Sequence, residues 1–132
     1  MEKFELKATA NTPDIQFDGQ SGEMIIQGRA ISEPEEDFWA PVLKWFYAYA
    51  TSPNDSTKII FNLEYFNNSA SKQFLFLLHK LNDLFEEGND ALVVWKYATD
   101  DPEMKESGFD FSCVVNVPFE FIGIESEIPV IV

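Results

Sequence analysis

"TKIIFNLEYFNNSASKQFLFLLHKLNDLFEEG", residues 57–88, changes its periodicity halfway along. Its opening, TKIIFNLE (57–64), is rich in β-branched and aromatic side chains and predicts a buried strand. Further on, Phe74, Leu77, Leu78, Leu81, Leu84 and Phe85 recur at helical spacing as one apolar stripe, and Gly88 supplies a stop. Between the two lies a polar run, Asn67-Asn68-Ser69-Ala70-Ser71. A strand leading directly into an amphipathic helix is the first half of a parallel crossover, so the rest of the chain is read for the other strands.

Upstream, IQFDG (15–19) and EMIIQGR (23–29) lean towards β-structure and are separated by Gln20-Ser21-Gly22, which predicts a hairpin. Phe38, Val42, Trp45, Phe46 and Tyr49 then mark a helix over about 35–50, with Pro34 and the acids Glu35, Glu36 and Asp37 suited to its positive end. SPNDS (52–56) is a turn by composition. Downstream, ALVVWKYA (91–98) predicts a central strand. DDPEMKESGFDF (100–111) predicts a short helix introduced by Asp100 or Asp101 and broken at Gly108. VPFEFIGI (117–124) reads as an edge strand whose pairing Pro118 limits. The order is β-β-α-β-α-β-α with a possible extra edge strand. It predicts an α/β two-layer sandwich: a small mixed sheet with an N-terminal hairpin and helices mainly on one face. At 132 residues a single domain, 1–132, is expected, with a flexible C-terminal tail over about 125–132.

Twenty-three acidic residues against nine basic leave a formal net charge of −14. Nucleic-acid affinity rests on Lys and Arg displacing counterions, so no nucleic-acid partner is expected, and an anionic membrane is disfavoured on the same ground. A protein partner, a cationic ligand or plain solubility are compatible with the charge. Hydrophobic residues at 45% and aromatics at 15% suffice for a core without disulfides or a metal. The single cysteine, Cys113 in FDFSCVV, allows no internal disulfide, and its apolar flanks predict a buried, inert thiol. MEKFELKATANTPD (1–14) lacks the apolar centre of a signal peptide, and no run approaches the ~20 apolar residues of a membrane span, so a cytoplasmic protein is expected.

Catalytic signals are scarce. The chain has no glycine-rich phosphate loop, no Gly-x-Ser-x-Gly elbow and no paired-cysteine metal spacing. His79, the lone histidine, has no neighbouring nucleophile and reads as structural or surface. The acidic turn Asp100–Glu106 offers oxygen ligands through Asp100, Asp101, Glu103 and Glu106, and a small-ligand or metal-binding domain is the alternative function. Its spacing departs from a calcium-loop pattern, however, and ordinary helix capping accounts for it. The polar run before the long helix is less easily dismissed. One cap needs one residue, whereas Asn67, Asn68, Ser69 and Ser71 all qualify. A phosphate there would be favoured by free N–H groups, the helix dipole and Lys72. Two readings stand: a plain cap, or a surface that is modified and read by another protein.

LEYFNNSASK (63–72) resembles the strand–loop–helix signature of the SiaC family of bacterial regulatory phosphoproteins, usually Tyr-Phe-Asn-Thr-Ser-Ser-x-Lys. TPDIQFD (12–18), GEMIIQGR (22–29), FWAPVLKWF (38–46), VVWKYATDDPEMKESGFDF (93–111) and VPFEF (117–121) resemble further family segments, in order, over about 9–124. The resemblance implies a STAS-like fold and a non-enzymatic switch in a partner-switching pathway, with no cofactor and no metal. The implied partners are a GGDEF-type diguanylate cyclase, a Ser/Thr kinase and a PPM-type phosphatase, with cyclic di-GMP as the output. It also implies partner-binding roles for Tyr65, Asn67, Asn68, Ser69 and Lys72, with Arg29 and Glu33 nearby.

Two departures matter. Asn68 stands where the family carries its acceptor threonine, and Asn has no hydroxyl to phosphorylate. Ser69 and Ser71 are then the acceptor candidates; failing them, the chain is an inert or constitutive scaffold locked in the unphosphorylated-like state. In GRAISEPEED (28–37) the family usually has Gly-Arg-Ser-Tyr-Pro-Glu-Asn. Arg29 and Glu33 persist while Ala30, Ile31 and Ser32 differ, which implies an altered partner specificity.

Overall fold

The computed structural model describes residues 2–31 and 35–125, with residues 35–37 described by their backbone alone. Its elements are β1 (Phe4–Leu6), β2 (Asp14–Asp18), β3 (Glu23–Ala30), α1 (Glu35–Tyr49), β4 (Ser56–Phe66), α2 (Asn68–Glu86), β5 (Asp90–Ala98), α3 (Pro102–Ser112) and β6 (Phe119–Ile124). The six strands form one mixed sheet in sequential order, β1 to β6. The first two pairings are antiparallel and the last three parallel. Each parallel step is a helical crossover in the same direction, and crossovers of one hand place α1, α2 and α3 on one face. The expected two-layer α/β sandwich, with its hairpin and extra edge strand, is therefore what forms.

The core is written in two rows of side chains that run across the whole sheet. Phe4, Phe17, Met24, Ile59, Val93 and Phe119 are register partners in one row; Leu6, Ile15, Ile26, Phe61, Trp95 and Phe121 form the next. Both rows face the helices, because strand side chains alternate faces with a period of two. Phe46 of α1 packs edge-on against Phe17, while Phe74 of α2 packs edge-on against Phe61. The stripe read from the sequence is the buried stripe of α2: Phe74, Leu77, Leu78, Leu81 and Leu84, with Phe85 at its margin. Gly88 stops the helix at a φ of +100°, a conformation in which a Cβ is costly.

The hairpin forms as expected, and its turn is held by Asp18. The Gln20 N–H donates to the Asp18 carboxylate at 2.9 Å and holds that carboxyl below its ordinary range. Two expectations need correction. The sheet gains a strand at its N-terminal edge, β1, which is anchored where the Trp45 indole N–H donates to the Glu2 carbonyl at 3.2 Å. The third helix is not broken at Gly108 but runs through it to Ser112. Gly108 is buried against the Trp95 indole ring, so the missing side chain serves close packing and not a stop. The expected tail falls on 126–132, and Ser32, Glu33 and Pro34 also lie outside the described residues.

Candidate interaction site

The site begins where β4 runs out. Ile59, Phe61 and Leu63 alternate into the core, and strict alternation would carry Tyr65 inward after them. The pairing with β3 prevents this. Gly28 faces Leu63 but Arg29 faces Tyr65, so Glu64 is an extra residue and the register shifts by one. Such a bulge flips every side chain beyond it. Phe66, opposite the fully buried Ala30, turns into the core against Phe74, Trp95 and Phe111. Tyr65 turns outward with Arg29 and is 53% exposed. The Arg29 guanidinium carbon lies 6.0 Å from the centre of its ring.

The next residue settles the capping question. Asn67 has extended backbone angles, and its Oδ1 accepts from the Ala70 N–H at 2.9 Å. Its own N–H donates to the Ala30 carbonyl at 3.2 Å, which ties the helix start to the end of β3. Asn67 is thus the N-cap, and Asn68, Ser69 and Ser71 are released from that duty. Asn67→Ala is expected to cost about 1 kcal/mol, read as a lower urea midpoint with an unchanged slope. Asn68 is exposed, Ser69 and Ser71 are half-buried and Lys72 is exposed. The first turn of α2 carries no acidic residue. In a chain with 23 acids this leaves the positive helix end without an acid of its own, whereas α3 has both its Asp101 cap and Glu103.

Asn68 stands between two hollows. One is a largely apolar groove between α2 and α3, walled by Phe66, Ser71, Leu75, Phe111 and Val114. The other lies beside Glu64, Tyr65, Asp101 and Ser107. Further along α2, the Asn82 Oδ1 accepts from the N–H groups of Asn116 and Val117 at 2.7 and 2.9 Å, which ties the segment after α3 to α2. Leu75, Phe111 and Val114 were absent from the sequence-based site. Leu75 lies off the apolar stripe read there and Phe111 only closes the predicted short helix 100–111, and the placing of α3 beside α2 shows what they enclose.

The other candidates are placed plainly. Glu33 lies outside the described residues, so of the pair only Arg29 is seen beside the site. His79 is exposed on α2. Cys113 is exposed and not buried as expected: it caps the C-terminal end of α3, where the chain leaves the helix for β6. In the acidic turn, the Asp101 Oδ1 is engaged as the α3 N-cap, accepting from the Met104 N–H at 3.1 Å. No group of three His, Cys, Asp or Glu side chains among the described residues is arranged to hold a metal ion. No helix among the described residues is long and apolar enough to cross a membrane.

Residues 6–124 match the model of the SiaC family of regulatory phosphoproteins. The chain belongs to the SiaC family. An uncharacterised protein of Pseudomonas aeruginosa (strain UCBPP-PA14) is 24% identical over 119 residues, covering 90% of this chain and 94% of that protein. The crystal structure of apo-SiaC from Pseudomonas aeruginosa superposes with a TM-score of 0.87 at 23% identity, covering 92% of this chain and 99% of the other. The structure of the diguanylate cyclase SiaD in complex with its activator SiaC, from the same organism, matches with the same TM-score and coverage at 22% identity. At these identities the superpositions establish the fold of this SiaC-family member, and the family match establishes its regulatory class.

Proposed function

We propose that this SiaC-family chain is a non-enzymatic, cytoplasmic regulator that binds a GGDEF-type diguanylate cyclase through the surface around the start of α2. The observation that carries this reading is the division of labour at residues 67–71. Asn67 alone caps the helix, which leaves Asn68 and Ser71 lining a largely apolar groove and Ser69 in a first helical turn that carries no acid of its own. A relative is known as the activator of a cyclase, and the two share this fold. The binding form is the unphosphorylated one. A Ser/Thr kinase would switch it off by placing about −2 charge on Ser69 or Ser71, and a PPM-type phosphatase would reverse this. Phosphate at Ser69 is favoured by the open N–H groups and dipole, while phosphate at Ser71 stands in the groove wall and blocks it.

The test is incubation with the cognate kinase and ATP, followed by phosphosite mapping and titration against the cyclase of the same organism. Label is expected on Ser69 or Ser71, together with at least roughly tenfold weaker cyclase binding by the labelled protein, about 1.4 kcal/mol. Absence of label on both, with cyclase binding intact, would replace the switch by constitutive binding. Asn68→Thr is then expected to create an acceptor at the exposed first position of α2. Failure of the unmodified protein to bind the cyclase at all would remove the proposal.

A further inference from the structure

Arg29 is the only arginine in the chain, and so carries its only guanidinium fork. Among the described residues the only ion pair joins Lys3 to Asp18, at 4.0 Å, so no described carboxylate neutralises Arg29. The guanidinium carbon instead lies over the Tyr65 ring, 6.0 Å from its centre. Both side chains are exposed: Arg29 by the ordinary alternation of β3, and Tyr65 by the Glu64 bulge, since without the register shift Tyr65 would lie under the helices. Attraction to the ring face favours this position for the guanidinium while leaving its N–H fork open to a planar anion. Tyr65 also borders the hollow reached by Asn68, so this pair and the start of α2 form one continuous surface.

We infer that the Tyr65–Arg29 pair is a specificity anchor for a single carboxylate, an Asp or Glu side chain on a protein partner whose surrounding surface is basic. This rests on the function proposed above and names the chemistry of that partner. Charge complementarity argues for the occupant. At −14 the chain attracts a basic surface, and a lone fork within that field fixes register by accepting one acid. A nucleotide or polyphosphate, carrying several negative charges, is repelled by the same field. Exposed Tyr and Arg are also the side chains that most often carry interface energy when a partner seals them from water.

The pattern expected across four variants separates this anchor from a general charge effect. In titrations against the purified GGDEF-type cyclase of the same organism, Arg29→Ala weakens binding about tenfold or more. Arg29→Lys does not restore it, because an ammonium cannot form the paired N–H contact. Tyr65→Phe, which keeps the ring, binds within about twofold of wild type, and Tyr65→Leu follows Arg29→Ala. Thermal unfolding of all four is expected to stay at the wild-type value, since neither side chain is part of the core. A double-mutant cycle against Asp→Asn and Glu→Gln changes on the cyclase identifies one strongly coupled carboxylate. Wild-type affinity in Arg29→Ala or full rescue by Arg29→Lys overturns the inference while leaving cyclase binding intact. No binding by the wild type overturns the proposed function, and this inference with it.

Discussion

Phe74→Ala is expected to remove about 3–5 kcal/mol of stability, read as a drop in the urea midpoint and a fall of roughly 10–20 °C in Tm. Phe74 is fully buried, and its ring is shared by all the layers that meet under α2. It packs edge-on against Trp39 of α1 at 5.4 Å, Phe61 of β4 at 5.3 Å and Phe66 at 5.2 Å, and lies 6.4 Å from Phe111 of α3. Removing it loses both the transfer energy of a large apolar group and the contacts of four other rings that cannot all collapse into the space. A loss under about 1 kcal/mol would mean that this cluster repacks freely and that α2 is not held as described. The Arg29 variants are the natural control, because they touch the same end of the molecule without entering the core.

Gly108→Ala is expected to cost about 1–3 kcal/mol and to weaken partner binding as well. Two effects oppose each other here. Inside a helix, Ala is favoured over Gly by about 1 kcal/mol, so propensity alone predicts a more stable protein. Packing predicts the reverse, because a Cβ at this position falls on the Cδ1 and Nε1 atoms of Trp95. Trp95 cannot give way. It is fully buried between Phe61 and Phe111, and its indole N–H donates to the Met104 carbonyl at 2.9 Å. The helix must move instead, carrying Phe111 and opening the groove beside Ser71. A combined loss of stability and cyclase affinity supports this account. A gain of stability would show that propensity wins and that α3 tolerates displacement.

Most of the secondary structure was legible because its signals are local. The α2 stripe repeats over three turns, and the β2–β3 hairpin announces itself by two short β-leaning runs around Gly22. β1 was not legible, since three residues, Phe4–Leu6, offer too little alternation to register and are strand only because β2 presents an edge. The site was readable as a crowded polar run but not as a division of roles. Four residues can cap a helix on chemistry alone, and only backbone geometry at Asn67 chooses among them. Cys113 shows the opposite failure. Its neighbours Phe111 and Val117 are buried, but Cys113 lies in the connection from the end of α3 to β6, which leaves the thiol in solvent.

What the amino-acid order by itself determined is the alternation of strand and helix after the opening hairpin, the single hand of the crossovers and the acidic surface. Each follows from side-chain periodicity, backbone sterics or ionisation, none of which needs a distant partner. What only the tertiary structure decided is which way the end of β4 points. Alternation along β4 would bury Tyr65, and nothing within that strand says otherwise. Pairing with β3 beyond Gly28 inserts Glu64 as an extra residue, turning Phe66 into the core and Tyr65 outward beneath Arg29. A one-residue slip has no local signature, because its cost and its reward both lie in the neighbouring strand.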